Sequence, residues 1–91
     1  MLGFEWDPVK SRKNKERHGI SFSEALEIWQ GPHITVDGIA KSKDGERRNA
    51  TLGFVRGELF VGIWTKRGQV IRLISVRRAS DGEKKVFISK I

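Results

Sequence analysis

The sequence has no cysteine, one methionine and two histidines among its 91 residues. Because cysteine is absent, a disulfide framework and a thiolate metal site are both excluded. His18 and His33 are too few for a histidine-based metal cluster, so we expect neither a metal nor another cofactor. A chain without disulfides suits a reducing compartment, and the cytoplasm is the location we expect.

Long apolar segments are also missing. No run approaches the roughly 20 residues that a membrane-spanning helix needs, so we expect no membrane partner. Residues 1–7 have no charged region followed by an apolar stretch, so they do not resemble a signal peptide. No repeat, low-complexity segment or linker interrupts the chain, and its length suits one domain over residues 1–91.

Positive charge is what the sequence has in excess. Eighteen lysines and arginines face eleven aspartates and glutamates, which leaves a net charge of +7. A small domain with this charge attracts polyanions, so we expect nucleic acid or an acidic protein as its partner. The alternative is a solvated surface that merely keeps the protein in solution. Hydrophobic residues make up 37% of the chain, which is enough for a modest core.

The N-terminal part of the sequence predicts a short strand followed by a helix. Residues 4–7 alternate between apolar and polar side chains, which is typical of a strand. Asp7 is a suitable N-cap, and Pro8 is a suitable first helical residue. Gly19 fits the left-handed conformation that ends many helices, so we predict a helix over residues 8–18.

A second helix is predicted directly after the first. Ser21 and Glu24 form a capping box at its start, and the pair Gly31-Pro32 marks its end. Its apolar side chains recur at helical spacing, so this face belongs to the core. These side chains are Phe22, Ala25, Leu26 and Trp29.

The rest of the chain predicts strands. Three strand-like runs, joined by short connections that contain glycine, cover residues 47–55, 58–65 and 70–78, as in successive hairpins. Residues 34–36 also alternate, and residues 38–46 are predicted to be a polar loop. The fold class is therefore α+β, in which an N-terminal strand and two helices pack on an antiparallel β-meander.

Two interpretations of the C-terminal segment stay open. Ser80 and Glu83 are suited to cap a short helix, whereas the apolar run 86–88 favours a strand. We favour the helix.

His18 is the candidate for proton transfer, because histidine changes charge near neutral pH. Cleavage of RNA by transesterification removes a proton from the 2′-hydroxyl, returns one to the 5′-oxygen and develops negative charge on phosphorus. The alternative is that His18 interacts with the carbonyls at the end of its own helix. At helical spacing it belongs to a largely basic stripe. The stripe consists of Lys10, Asn14, Arg17 and His18.

Arginines in the predicted strands are the candidates for phosphate binding. A guanidinium within a sheet is costly to bury unless an anion meets it, and its planar fork fits phosphate. Arg47 begins the second strand of the meander, Arg72 lies within the fourth, and Arg77 and Arg78 end the fourth. Strict alternation puts Arg72 and Arg78 on one face of the sheet and Arg77 on the other, unless a bulge redirects one of them. The alternative is an edge strand whose arginines are merely solvated.

Glu46 and Trp6 are further candidates. Glu46, at the mouth of the predicted sheet, is either a base or the partner of a surface salt bridge. Trp6 is the candidate for stacking on an unpaired base, since Trp29 and Trp64 lie in apolar patterns that place them in the core. The sequence has no phosphate-binding glycine loop, nucleophile elbow or zinc-ligand spacing.

Together these residues resemble the pattern of the BrnT toxin family. The N-terminal part of the resemblance lies in Phe4-Glu5-Trp6-Asp7-Pro8, Lys10, Asn14, His18-Gly19-Ile20, Phe22 and Glu24-Ala25. The C-terminal part lies in Glu46-Arg47, Leu52-Gly53, residues 71–80 and Glu83. Each segment is short, but their order and spacing over nearly the whole chain are specific. The departures are Gly31, where an aspartate is usual, and the apolar tail over residues 86–91.

The resemblance implies a fold similar to RelE-type toxins and a ribonuclease activity that blocks translation. It also implies a BrnA antitoxin that neutralises the toxin and carries the DNA-binding domain, so operator DNA is contacted only through the antitoxin. By position, His18, Arg47 and Arg77 match residues associated with the active site of the family. Arg72 and Glu46 are their neighbours.

We therefore predict a metal-independent endoribonuclease toxin of a type II toxin–antitoxin system. His18 acts as general acid or base in this hypothesis, while Arg47 and Arg77 bind phosphate and stabilise the developing charge. The predicted RNA-binding residues are Lys10, Arg17, Arg72, Arg78 and Trp6. The alternative function is a non-catalytic module that binds its antitoxin, or a ParE-type toxin that acts on a protein target.

Overall fold

The computed structural model describes residues 3–38 and 45–91 in full and residues 39–41 by their backbone. The elements in chain order are β1 Gly3–Glu5, α1 Pro8–His18, α2 Phe22–Ala25 with a 3-10 turn Leu26–Trp29, β2 His33–Lys41, β3 Arg47–Val55, β4 Glu58–Arg67, β5 Val70–Arg78 and α3 Asp81–Lys90. The predicted α+β class is confirmed, and so is the helical interpretation of the C-terminal segment. The capping box of Ser80 and Glu83 begins α3 as predicted.

The described strands form one mixed sheet in the order β1-β5-β4-β3-β2. Strands β2 to β5 pair antiparallel, as the predicted meander requires, whereas β1 pairs with β5 in parallel. β1 pairs with residues 70–72 of β5, so the second half of β5 lies at the edge of the sheet.

The predicted loop over residues 38–46 is wrong in its first part, because β2 continues to Lys41. The register of β2 against β3 shifts at a bulge around Gly38, which has a left-handed φ of 66°. The Gly38 amide donates to Asn49 Oδ1 at 2.9 Å, so a side chain replaces a ladder hydrogen bond there. The polar residues that suggested a loop therefore belong in part to β2, a bulged strand at the edge of the sheet. Residues 42–44 of the predicted loop lie outside the described residues.

The predicted second helix is tighter at its end than a regular α-helix. It begins at the predicted capping box, in which Ser21 Oγ accepts from the Glu24 amide and Glu24 Oε1 accepts from the Ser21 amide. From Leu26 onward the backbone is 3-10 helical, and Ile28 lies directly on β3. A Cβ at Gly53 would come within 2.7 Å of the Ile28 carbonyl oxygen, so this close packing requires glycine.

A buried cluster lies on each face of the sheet. On the face that we call the α1–α2 face, the cluster consists of Ile20, Phe22, Ala25, Ile28, Val55, Phe60, Leu73 and Val76. On the opposite face, the α3 face, it consists of Ala50, Leu52, Leu59, Val61, Ala79 and Phe87. Trp6, Trp29 and Trp64 are partly buried against the first cluster, which agrees with the core position predicted for the last two.

A polar side chain attaches α1 to the sheet. Asn14 is 6% exposed, and its Nδ2 donates to the carbonyl oxygens of Ile20 at 2.8 Å and Val76 at 2.9 Å. Its Oδ1 accepts from the Val76 amide at 3.1 Å. Because β1 does not reach this part of β5, the Asn14 amide satisfies backbone groups at the sheet edge.

Candidate active site

A bulge in β5 decides which arginines share a face. The pairing of β4 with β5 shifts by one residue, which leaves Ile74 as an extra residue in β5. The β4 partners of Arg72 and Arg77 are an even number of residues apart, so both arginines lie on the α3 face. Strict alternation does not hold, and the bulge that the sequence analysis left open puts Arg72 on the face of Arg77, whereas Arg78 lies on the α1–α2 face.

Arg77 is fixed by a bidentate salt bridge to α3. Its Nη1 and Nη2 donate to the two carboxylate oxygens of Glu83 at 2.7 and 3.0 Å. These hydrogen bonds from Arg77, together with weaker ones from Ser80, lower the pKa of Glu83 to about 2. The carboxylate in turn raises the pKa of Arg77. The guanidinium is thus charged and oriented at the end of β5, with its fork occupied by a carboxylate.

Two carboxylates with lowered pKa predict that the protein loses stability in acid. The pKa of Glu24 is lowered to about 2 chiefly by the hydrogen bond from Lys15 Nζ at 2.8 Å, and that of Glu83 is also lowered to about 2. Both values lie below the ordinary 4.5, so the stabilisation is complete above about pH 5 and is lost as pH falls toward 2. Because Lys15 is exposed and Arg77 is partly exposed, we expect a loss of about 1 kcal/mol per carboxylate.

Urea unfolding between pH 2 and pH 7 measures this loss. Glu24→Gln and Glu83→Gln should each flatten the acid slope, because the amide does not titrate. Glu16→Gln, at an exposed position of α1, removes the same charge and is the control. A slope in both variants equal to that of the unmodified protein would contradict the assignment.

Arg78 lies on the α1–α2 face, on the same side as the end of α1. Its guanidinium is 5.9 Å from the centre of the Phe60 ring and 3.0 Å from Glu58 Oε2. Gly19, the residue after His18, lines the same small cavity as Arg78. An anion bound at Arg78 would therefore lie near the C-terminus of α1.

The predicted stripe of α1 is divided by the fold. Asn14 is buried against the sheet, whereas Lys10, Arg17 and His18 are exposed. His18 is the last helical residue, in a turn that also contains the basic residues Lys15 and Arg17. Trp6 is partly buried against the α1–α2 cluster, so part of its ring packs on the core.

Arg47 and Glu46 lie where β3 begins, at the end of the sheet away from Arg77. They line a polar cavity of about 390 Å³ with Asp37, Asn49, Thr65 and Lys66. The guanidinium of Arg47 lies against Gly38, where a Cβ would come within 2.6 Å of Arg47 Nη2. Glu46 forms a salt bridge with Arg67 at 3.1 Å, the surface role that the sequence also allowed.

The structure does not bring His18, Arg47 and Arg77 into one site. The register places Arg47 opposite Lys66 of β4, whereas Arg77 pairs with Val61 of the same strand. These two β4 residues are five positions apart, which corresponds to about 16 Å along the strand. These two arginines also lie on opposite faces, because Arg47 shares the alternation of Gly53 on the α1–α2 face. His18 belongs to α1, on the side of the sheet away from α3. The catalytic role of each residue stays a prediction.

Arg48 was missed by the sequence reasoning, which selected its neighbour Arg47. Arg48 lies on the α3 face, because Ala50 and Leu52 follow it at strand spacing and belong to the α3-face cluster. Its Nε is buried and has no hydrogen-bond partner among the described residues. The signal was present in the alternation of β3, which aligns Arg48 with buried apolar residues.

The surface beside Arg77 is apolar. A cavity of about 400 Å³ between α3 and the strands β2 and β3 is lined by Arg77, Gly82, Glu83, Ile34, Val36, Ala50, Leu52, Val86 and Phe87. Walls of low polarity strengthen the interaction of a guanidinium with an anion. If a phosphate displaces Glu83 from Arg77, this arrangement can hold it with a flat apolar group, such as the face of a base, next to it.

In residues 3–38 and 45–91 no group of three or more acidic or histidine side chains is arranged to hold a metal ion. Within the same part of the chain, every helix is too short or too polar to cross a membrane.

Comparison with known proteins gives the family. No curated protein sequence matches the chain at a significant level. A family model described as the ribonuclease toxin BrnT of type II toxin–antitoxin systems matches residues 6–83, a stretch that contains every candidate residue discussed above. RNA is the substrate class and an antitoxin the partner that this family implies. The chain thus belongs to the BrnT family of ribonuclease toxins, the family that its sequence resembled.

Proposed function

We propose that the chain is an endoribonuclease that cleaves RNA without a metal ion, inhibits translation and uses arginines of the α3 face as its main catalytic groups. The observation that carries this proposal is the bulge of β5, which gives Arg72 and Arg77 a common face, on which Arg77 borders an apolar cavity. A sheet face partly covered by a C-terminal helix also suits a RelE-like toxin.

The chemistry that we propose is transesterification. The 2′-oxygen attacks the adjacent phosphorus, the bond to the 5′-oxygen breaks, and the products carry a 2′,3′-cyclic phosphate and a 5′-hydroxyl. The intermediate phosphorane is more negative than the substrate, so a guanidinium directed at it lowers the barrier. Arg77 suits this role, because its planar fork can exchange the Glu83 carboxylate for a phosphate.

Proton transfer has two proposed agents. His18 is the general acid or base in the first proposal, and Glu46, beside Arg47, is the base in the second. A general acid or base has to lie within hydrogen-bond reach of the reacting oxygens, and both residues lie away from Arg77, so neither reaches a phosphate held there in this structure. We therefore propose that charge stabilisation by arginine contributes more to the rate than proton transfer does.

The route of the RNA follows from the positive charge. Lys10 and Arg17 on α1, together with Arg78, are proposed to attract the RNA backbone at the α1–α2 side of the β5 edge. The exposed part of Trp6 is proposed to stack on a base. Arg72 then continues the basic surface onto the α3 face.

The partner that we propose is a BrnA-type antitoxin, which neutralises the toxin in the cytoplasm. Family membership implies an antitoxin, and the net charge of +7 favours an acidic one. Operator DNA is contacted by the antitoxin in this proposal, and the toxin itself needs no cofactor.

Cleavage by the purified toxin in EDTA tests the proposed activity. A single-stranded RNA should be cut to fragments with a cyclic phosphate and a 5′-hydroxyl, and a 2′-deoxy substitution at the cut position should block cleavage there. Arg77→Ala, purified in the same way, controls for a contaminating ribonuclease. Cleavage that requires added Mg²⁺ would contradict the metal-independent mechanism. A toxin that stops growth but cuts no RNA under either condition would be the binding module instead.

A further inference from the structure

Arg48 carries a buried donor that has no partner. The residue is partly buried in β3, and its Nε finds no acceptor in the part of the chain that the structure describes. A buried N–H without an acceptor is unfavourable, and native proteins contain few such groups. The Nε of Arg48 is therefore already removed from water, and an anion can accept its hydrogen bond once a rotation of the side chain uncovers it.

A second arginine lies on the same level of the sheet. Asn49 of β3 pairs with Trp64 of β4, so the preceding residue, Arg48, lies opposite Thr65 of β4. Thr65 pairs on its other side with Arg72 of β5. Two strand spacings, about 10 Å, separate the Cα atoms of the two arginines. Long side chains at this separation on one face can approach the same phosphate.

Arg72 is oriented but not saturated. Its Nη1 donates to Glu5 Oε2 at 2.6 Å, which uses one of the five N–H groups of a guanidinium. Glu5 holds the side chain from the β1 side of the sheet. Arg47, by contrast, faces the other side and lies against Gly38, so it cannot join this pair.

We propose that Arg48 and Arg72 form a second phosphate subsite for RNA on the α3 face, about 13 Å along the strands from Arg77. The inference rests on the proposed ribonuclease function and adds a residue to it. In this arrangement a backbone phosphate distant from the scissile one binds between the two guanidinium groups. Arg48 then holds the RNA in register, while Arg77 meets the reacting phosphate.

Binding of a single-stranded oligonucleotide with 2′-O-methyl riboses tests the subsite, because this probe cannot be cleaved. Arg48→Ala should weaken binding by about tenfold or more, the size expected for a charge-assisted hydrogen-bonded contact. The salt dependence of log K should fall by about 0.7, the value for one phosphate contact on a single strand. Arg12→Ala, at an exposed position of α1, removes the same charge and should weaken binding less than about threefold.

The melting temperature of Arg48→Ala distinguishes a binding role of Arg48 from a structural role, because loss of a structural contact would lower it. Because the Arg48 Nε has no partner, the melting temperature of free Arg48→Ala should equal or exceed that of the unmodified protein. The oligonucleotide should raise the melting temperature of the unmodified protein more than that of the variant. Arg48→Lys keeps the charge but lacks the fork, so its affinity should lie between the two.

Several results would overturn the subsite. Equal binding by Arg48→Ala and Arg12→Ala, in a toxin that still cleaves RNA, would reject the subsite and leave the ribonuclease intact. The same result with a loss of antitoxin binding would assign Arg48 to the protein interface instead. A lowered melting temperature that Arg48→Lys restores together with binding would make the role structural. Absence of both binding and cleavage in the unmodified toxin would reject the ribonuclease proposal and the subsite with it.

Discussion

Arg77→Ala is expected to abolish growth inhibition and to lower the rate of RNA cleavage by ~10²–10³, the usual cost of removing a donor directed at transition-state charge. The variant should still fold, because Arg77 and Glu83 are partly exposed and such a pair contributes about 1 kcal/mol or less. It should also still bind the antitoxin in a pull-down assay. Single-turnover cleavage with purified protein measures the rate, and expression at equal level measures toxicity.

Glu83→Gln separates catalysis from the attachment of α3. It breaks the same salt bridge as Arg77→Ala but leaves the guanidinium in place, and its amide oxygen can still accept from the Ser80 amide. We expect this variant to remain toxic. Equal loss of activity in Arg77→Ala and Glu83→Gln would show that the pair acts by docking α3. Full toxicity of Arg77→Ala would place Arg77 outside the active site.

The rate of RNA cleavage by His18→Ala tests whether His18 transfers a proton in the reaction. General acid–base catalysis by His18 would cost about 10²–10⁴ in rate and bend the pH profile between about pH 5 and 8. Its position on the α1 side of the sheet leads us to expect a smaller loss than that of Arg77→Ala. A larger loss would move the reaction centre to the α1–α2 face.

Asn14→Ala is expected to destabilise the protein by about 3 kcal/mol, because it leaves buried backbone groups of Ile20 and Val76 without partners. In a domain of this size, that loss corresponds to a fall in melting temperature of more than about 10 °C. Asn14→Asp should be no better, since the carboxylate keeps one acceptor, loses both donated hydrogen bonds and buries a charge.

Thermal melting with Lys13→Ala as the control measures the Asn14 effect. Lys13 is exposed on the same helix, so its removal should change stability by less than about 0.5 kcal/mol. Melting temperatures of Asn14→Ala and Lys13→Ala within a few degrees of each other would contradict the bridging role. Asn14 would then belong with the exposed residues of the α1 stripe, where sequence periodicity had placed it.

Local signals in the sequence predicted most elements of the fold. The connection at Arg56-Gly57 is a two-residue hairpin turn in which both residues have positive φ, 52° and 80°. Gly19 ends α1 in the left-handed conformation, and Ser80 with Glu83 begins α3. Each of these signals depends only on residues that are close together in the sequence, so it can be recognised without the tertiary structure.

The composition of the candidate site was predicted better than its arrangement. Arg72 and Arg77 were identified from their residue type within a strand, but strict alternation put them on opposite faces, and only the structure shows that a bulge redirects one of them. The bulge at Ile74 has no local signal, because it follows from how β5 fits between β1 and β4 while both of its faces pack on a core. Arg48 was missed although the alternation of β3 aligns it with buried apolar residues, because the burial of its Nε depends on how β3 packs against the rest of the fold.

The sequence by itself determined the element types, the basic charge and the family, because caps, turns, periodicity and charge act over short distances or are summed over the chain. Tertiary structure decided which charges meet. It buried Asn14 at the edge of β5, separated Arg47 from Arg77 by strand length and by face, and paired Arg77 with Glu83. These outcomes depend on sheet register, and register is set by packing between residues distant in sequence. A shift of one residue moves a side chain to the opposite face, so no local pattern could have fixed the site.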